Sequence, residues 1–297
     1  MHELTIAATD GRGAAAAAAD WAAARAATSG GGLLLIRVVE ATRDDTDADV
    51  ERLLAAARPA VQAEADRLRA ARPGLDVVAE VASGDPGEVL RALSSPTAVL
   101  VLGAEAHDGR GASLRERVVS TALGPVAVVP EPGVDDDERH GIVVGVDGTD
   151  SSLSALAFAA DEAMRWGEPL EAVNAWLDVL TPPQLGFMTV APVPRTGSTA
   201  LSEADPQTDL LRSRHQALLH EAVSTVLRTH PGLVVAERVV QGEASRVLQK
   251  VSQSRRLLVV GNHGRRRIAR FLLGSVSHAV VLAVTGPTVV VQAADER

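Results

Sequence analysis

Three glycines and a serine stand at fixed intervals near the carboxyl end of the chain. The stretch GNHGRRRIARFLLGS runs from Gly261 to Ser275 and follows the apolar run RLLVV. Glycine lacks a Cβ, so its backbone N–H groups can approach a bound group closely, or the chain can turn there with positive φ. The spacing therefore indicates a phosphate-binding loop or, as the alternative, a tight turn beside a neighbouring strand.

Other polar residues near this loop could share in its chemistry. Ser275 could donate its hydroxyl to an anion at the start of the next helix, or it could act as the N-cap of that helix. Asp147 ends an earlier strand and could orient a ribose or a magnesium-bound phosphate, or accept N–H groups within its own turn. His263 and the four arginines between 265 and 270 could reach the ligand or form a solvated surface.

The elements that must position these residues occur twice along the chain. Apolar strands ending in Asp-Gly, LTIAATDG and GIVVGVDG, each precede an alanine-rich helical segment. The order β-α-β-α-β-α-β-α-β follows in each half, and both halves close on a Gly-Pro strand, GPVAVVPEP and GPTVVVQA. The segment EPGVDDDERH at 131–140 has the composition of a linker. We therefore expect two domains, 1–132 and 133–297.

Apolar strands that alternate with helices predict parallel sheets covered on both faces. Each half is expected to form an α/β, doubly wound, parallel five-stranded sheet, so the chain is a tandem repeat of one Rossmann-like sandwich. Such sheets bind ligands beyond the carboxyl ends of their strands, at the switch point of the strand order. The glycine loop follows the fourth strand of the second half and therefore lies where a ligand is expected.

Composition excludes several classes of function. The chain has 297 residues, a formal net charge of −9 and no cysteine. The negative charge argues against non-specific nucleic-acid binding, and the lack of cysteine excludes disulfides, thiolate catalysis and Cys-based zinc sites. The sequence contains neither an apolar stretch long enough to span a bilayer nor a signal-peptide pattern. We expect a cytoplasmic protein with no nucleic-acid or membrane partner.

The motif G-x2-G-x9-G-S resembles the nucleotide-binding signature of the universal stress protein family. Its positions in this chain are Gly261, Gly264, Gly274 and Ser275, and the segments VVGVDGTDSS, AVNAW and GPTVVV support the resemblance. The resemblance covers nearly the whole chain as two tandem domains with an adenine nucleotide alpha hydrolase-like fold. It implies ATP, with or without Mg²⁺, as the ligand of the second half.

The resemblance also implies roles for individual residues. Adenine would lie near Val146, Asp147 and Ala175, at the ends of the first two strands of the second half. His263 and Arg265 would lie beside the ligand within the glycine loop. The phosphates would rest on the loop and the start of the following helix, at Gly261, Gly264, Gly274, Ser275 and Val276.

The first half departs from this pattern. Gly103 matches Gly261, but Ala106 stands where the second glycine belongs, and only five residues separate the ends of the motif instead of nine. Glu105 adds a negative charge close to the expected phosphates, which is unfavourable in a partly desolvated site. We therefore expect the first half to bind nucleotide weakly or not at all.

A long segment rich in Pro, Gly, Ser and Thr spans 178–209 in the second half. Loops longer than about 12–15 residues are commonly lids or binding loops, and otherwise disordered. Residues 184–188 could fold over the adenine, since the segment follows the strand that reaches it. A surface loop without contact to the ligand is the alternative.

Three functions fit these features. The first is a stress-response or signalling regulator whose ATP occupancy changes its conformation or its protein partners, with at most weak ATPase activity. The second is an adenylating enzyme of the same superfamily, although DGTDSS at 147–152 lacks the paired glycines of an SGGxDS loop. The third is a nucleotide-independent interaction protein in which the closing strands VAVV and TVVV pair across the domains, forming a covalent pseudo-dimer that could associate further into a homodimer.

Overall fold

The computed structural model of the chain describes residues 4–42, 44–104, 113–133, 139–177, 206–262 and 273–293. The elements of the first half are β1 (Leu4–Ala8), α1 (Gly13–Ser29), β2 (Leu33–Val39), α2 (Asp47–Ala71), β3 (Val77–Ser83), α3 (Pro86–Leu93), β4 (Ala98–Gly103), α4 (Leu114–Thr121) and β5 (Val126–Val129). Those of the second half are β6 (Ile142–Gly145), α5 (Asp150–Trp166), β7 (Leu170–Trp176), α6 (Pro206–Thr229), β8 (Val235–Gln241), α7 (Ala244–Ser252), β9 (Leu257–Asn262), α8 (Ser275–Leu282) and β10 (Thr288–Gln292).

The described strands form one continuous ten-stranded sheet in the order β3-β2-β1-β4-β5-β10-β9-β6-β7-β8. All neighbouring strands within each half are parallel. The halves meet where β5 and β10 pair in antiparallel orientation, with Ala127 opposite Val289. The two predicted five-stranded parallel sheets are thus joined edge to edge, and the predicted pairing of the closing strands is confirmed.

Helices cover both faces of the sheet, as the apolar strands require. One core cluster combines residues of α1, α2, α5 and α6 with one face of the sheet, and a second combines residues of α3, α4, α7 and α8 with the other face. Helix α1 buries Ala18, Ala22 and Ala26 completely. Alanine is the strongest helix former and has a short side chain, so α1 can lie close against the strands. No helix among the described residues is both long enough and apolar enough to cross a bilayer.

Helices α1 and α5 are equivalent elements of the two repeats. Each has 17 residues and ends at a glycine in the left-handed conformation, Gly30 with φ 63° and Gly167 with φ 65°. Arg25 and Glu162 each lie five residues before that glycine, so they occupy the same position in their repeats. A pseudo-two-fold axis therefore runs between these two side chains and through the junction of β5 and β10.

The two equivalent side chains form an ion pair that water does not reach. Arg25 and Glu162 both have 0% side-chain exposure, with Nη2 2.6 Å from Oε1 and Nε 3.1 Å from Oε2. Arg25 also donates to the Thr5 hydroxyl at 2.9 Å, and Glu162 also accepts from Arg165 and from the indole of Trp166. Burial lowers the pKa of Arg25, but a guanidinium remains charged in proteins. With Arg165, whose side chain is 4% exposed, the junction therefore holds three charges, two arginines on one glutamate.

Candidate functional site

A cavity of about 60 Å³ lies at the carboxyl edge of the sheet in the second half. It occupies the switch point between β6 and β9, where ligands bind in open α/β sheets. The ends of β6, β7 and β9 and the helices α7 and α8 supply its walls. Among the residues that line it are five that the sequence predicts as ligand contacts: Val146, Asp147, Ala175, Gly261 and Val276.

The walls of this cavity, called here the slot, are mainly apolar. Val173, Leu248 and Val260 add to the valines already named, and Ser152 lies with Asp147 on the polar side. An apolar slot with a polar side suits one end of a planar base. Its volume is far below the roughly 300–1,000 Å³ of metabolite pockets, so a nucleotide placed here would extend beyond the slot and over the edge of the sheet.

Asp147 accepts hydrogen bonds inside its own turn. Its Oδ1 lies 3.1 Å from the backbone N of Thr149 and 2.6 Å from the Thr149 hydroxyl. The following residue, Gly148, has φ 83°, a left-handed conformation that favours glycine. The interpretation of Asp147 as a turn acceptor is confirmed, and its predicted role toward ribose or Mg²⁺ stays a prediction.

The backbone of Val146 already has partners on both sides. Its N–H donates to the Val173 carbonyl at 2.9 Å, and its carbonyl accepts from the Asn174 side chain at 2.7 Å. Val146 therefore offers the slot mainly its side chain. Asn174 was not predicted from the sequence, although a carboxamide inside the apolar strand AVNAW indicates a buried polar contact.

Gly261 lies against the first turn of α5. A Cβ added there would be 2.5 Å from the Ser151 carbonyl oxygen and 2.6 Å from its carbon. Gly103 has the same place in the first half, where a Cβ would be 2.6 Å from backbone atoms of Ala14 and Ala15. Both glycines are thus required by close backbone packing, whether or not a ligand binds, and for Gly261 the neighbour is helix α5 and not the strand that the alternative named.

We expect Gly261→Ala and Gly103→Ala to lower the free energy of unfolding by similar amounts, about 1–3 kcal/mol each. The clash is with backbone, which cannot rotate away, and it is present in both halves. Denaturant unfolding without nucleotide measures the effect, and Gly30→Ala, which meets no atom within 4 Å but has positive φ, separates packing from backbone strain. A stability of Gly261→Ala equal to that of the unsubstituted protein would contradict this account.

Helix α8 begins beside the slot without a side-chain cap from any described residue. Its N-cap is Gly274, with φ −60°, and Ser275 is its first residue, so the alternative that Ser275 caps the helix is wrong. Ser275 is exposed and Val276 lines the slot. Amide groups of an uncapped first turn attract anions through their partial positive charge. The end of α8 therefore offers the donors that a phosphate requires.

The side-chain amides of Asn262 and Gln292 hold this helix start in place, and neither residue was predicted from the sequence. Asn262 accepts from the N–H of Gly274 at 3.2 Å and donates to Gln292 at 2.8 Å. Gln292 in turn donates to the Val119 carbonyl of the first half at 3.0 Å. The start of α8 is thus connected to the other repeat by consecutive hydrogen bonds.

Part of the predicted site lies outside the described residues. This holds for His263, Gly264 and Arg265, for the other arginines of the loop, and for the proposed lid at 184–188. In the first half, Glu105 and Ala106 also lie outside them. The predicted contacts of all these residues stay predictions.

Comparisons with known proteins agree with the fold and the repeat. The profile of the universal stress protein family matches residues 3–130 and again 138–292. Universal stress protein Rv2005c of Mycobacterium tuberculosis is 32% identical over 225 residues, which cover 73% of this chain and 69% of the relative. Universal stress protein Rv1996 of the same organism is 33% identical over 224 residues, 72% of this chain and 65% of the relative.

A solved structure shows the same fold over the full length. The crystal structure of a universal stress protein from Archaeoglobus fulgidus covers 99% of this chain and 100% of its own, with a TM-score of 0.71 and 16% sequence identity. The family profile fits each half of the chain separately, and each half has the five-stranded parallel arrangement described above. The chain therefore belongs to the universal stress protein family, as a member with two tandem repeats.

Proposed function

We propose that the second half binds an adenine nucleotide, ATP in the first place, and that occupancy regulates a stress-response or signalling partner. The observation that carries this proposal is the slot at the switch point, bounded by apolar strand ends on one side and by the uncapped start of α8 on the other. A base requires apolar walls and a phosphate requires hydrogen-bond donors, and at this site the apolar walls and the donors are adjacent.

The base would enter the slot between the strand ends and α7. Val146, Val173 and Leu248 would contact its faces, and the ribose would leave past Asp147 and Ser152. A Cβ on Gly145 would lie 2.8 Å from Cδ1 of Leu248, so the glycine lets Leu248 pack against the strand end. The triphosphate would then lie outside the slot, which agrees with its small volume.

The phosphates would meet the first turn of α8. Asn262 holds the N–H of Gly274, which leaves the following amides and the exposed Ser275 hydroxyl as donors to an anion. Any Mg²⁺ would be carried mainly by the phosphates. The chain's own residues thus bind and orient the nucleotide, and no step of this proposal requires catalysis.

The first half lacks the features on which this proposal rests. Ala104, directly after Gly103, stands where the second half has Asn262, and Pro130 stands where it has Gln292. Ala8 replaces Gly145 two positions before the Asp-Gly turn, adding a Cβ at the strand end. These differences support a single nucleotide site per chain.

Calorimetric titration of the full chain with ATP, ADP, AMP and GTP tests the proposal. We expect saturable binding at one site, with adenine nucleotides preferred over GTP and with affinity falling as phosphates are removed, since each lost phosphate removes contacts with the start of α8. Equal binding of GTP, or no binding of ATP at millimolar concentration, would contradict it. Release of pyrophosphate during the titration would instead favour the adenylating enzyme.

A further inference from the structure

A second and larger cavity lies between the two halves, and the proposed nucleotide site does not use it. Its volume is about 700 Å³, within the roughly 300–1,000 Å³ of metabolite pockets. The first half contributes the turn after β1, the start of α1, the ends of β4 and β5, and Arg115 of α4. The second half contributes the end of α8, at 282–284. We call this space the inter-half cavity.

At the place of this cavity the first half lacks two side chains that the second half has. In the second half, Asn262 and Gln292 hydrogen-bond to each other across the ends of β9 and β10. Their counterparts at the ends of β4 and β5 are Ala104 and Pro130, and both line the cavity. Neither residue reaches across, so the space filled by the amide pair in one repeat is open in the other.

Arg115 faces this opening with an incompletely satisfied guanidinium. Its counterpart in the second half is Ser277, since each lies nine residues before the Gly-Pro of the closing strand. Arg115 is 7% exposed, and its Nε finds no acceptor among the described residues. Its Nη2 lies 3.4 Å from the Leu282 carbonyl, a long hydrogen bond to a neutral group. A guanidinium cannot lose its charge to relieve burial, so an anionic acceptor is the chemical complement of this residue.

The start of α1 adds donors to the same wall. No side chain of the described residues caps α1, and its first residues Gly13 and Ala14 line the cavity together with Arg12. Uncapped amides and the helix dipole favour an anion. The Glu131 carboxylate already lies at this helix start, so the cationic group left for a ligand is the buried Arg115 guanidinium of α4.

Two carboxylates lie beside the start of α1. Asp10 lies on the turn after β1, and the Glu131 carboxylate lies against Gly13, in the place that a Cβ on Gly13 would occupy. Carboxylates accept hydrogen bonds, and they bind hydroxyl groups. A ligand that satisfies the whole lining therefore carries one anionic group and several hydroxyls.

From this lining we propose that the inter-half cavity binds a small polyhydroxylated organic anion, with a phosphate or carboxylate group on Arg115 and hydroxyl groups on Asp10 and Glu131. The site is separate from the slot, because the two cavities share no lining residue. Its ligand contacts come from both repeats, so it is a site of the tandem chain and not of one domain.

The test titrates the full chain with glycerol 3-phosphate and with glycerate, which distinguish a phosphate from a carboxylate. We expect saturable binding of at least one of them, and about a tenfold or greater loss of affinity in Arg115→Met. Arg117→Met on the same helix is the matched control, since Arg117 is exposed and pairs with Asp85. It is expected to bind as the unsubstituted protein does. Binding of neither probe, or unchanged binding by Arg115→Met, would overturn the proposal.

A second variant covers the outcome in which Arg115→Met fails to fold. The double variant Ala104→Asn/Pro130→Gln copies the amide pair of the second half and is expected to narrow the cavity beside Arg115 and to weaken binding of the probe. Arg115→Met itself is expected to unfold at the same or a higher temperature without ligand, since it removes an unpaired buried charge. A purely structural Arg115 would predict a lower unfolding temperature and unchanged binding by the double variant. Neither result depends on ATP, so failure here leaves the nucleotide proposal standing.

Discussion

Glu162→Gln is expected to lower the free energy of unfolding by about 3–5 kcal/mol. The substitution keeps the shape of the side chain but leaves the Arg25 guanidinium without a counter-charge in a place that water does not reach. Arg165, which also donates to Glu162, adds a second positive charge nearby. The pair joins the two repeats, so its loss is expected to weaken the contact between α1 and α5 as well.

Denaturant unfolding measures this loss, and the fluorescence of Trp166 reports on the site directly because its indole donates to Glu162. Glu51→Gln is the matched control, because Glu51 pairs with Arg58 on the surface. Glu51→Gln is expected to change the free energy of unfolding by no more than about 0.5 kcal/mol. The double variant Arg25→Met/Glu162→Met is expected to recover part of the lost stability, since it removes the Arg25–Glu162 pair together but also takes the Glu162 carboxylate from Arg165. A Glu162→Gln protein as stable as the unsubstituted one would refute this account of the junction.

Val276→Phe is expected to reduce the affinity for ATP about 10- to 100-fold, the range that corresponds to losing the burial of a base-sized apolar group. Val276 lines the slot from the first turn of α8, and a phenyl ring there would occupy the volume proposed for the base. The backbone of α8 and the Asn262 hydrogen bond to Gly274 are left unchanged. The substitution therefore blocks the site without dismantling it.

Titration calorimetry measures this change in affinity. His278→Phe serves as the matched control, because His278 is an exposed residue of the same helix and does not line the slot. Both variants are expected to unfold near the temperature of the unsubstituted protein when nucleotide is absent. If Val276→Phe binds ATP with full affinity, the base does not enter the slot and the proposed function fails.

The elements of the fold could be predicted from the sequence because their signals are local. The apolar run before Gly261, the alanine-rich segment of α1 and the glycines that end α1 and α5 each specify their structure within a few residues. The alternation of strands and helices predicted the parallel sheets and restricts their strand order to few arrangements, of which the structure shows one. The joining of the two sheets could be predicted because both closing strands are short and apolar and stand at the end of their repeat.

The candidate site and the junction of the repeats were only partly predictable, because residues in both contact partners that are distant in sequence. Arg25 and Glu162 are 137 residues apart, and Asn262 and Gln292 are 30 apart. A single sequence contains no signal that pairs such residues. The sequence predicted that Gly261 requires a residue without a Cβ, but its contact with Ser151 is visible only once β9 packs against α5.

The position of the Arg25–Glu162 pair on the pseudo-two-fold axis has a consequence for self-recognition. Where two identical copies associate around an axis, a residue on that axis faces itself. Two first halves would bury arginine against arginine, and two second halves glutamate against glutamate. Only unlike repeats place opposite charges there, and fusing them in one chain keeps both available in equal number. At this axis the two different repeats therefore complement each other in charge, whereas two copies of the same repeat would place like charges together.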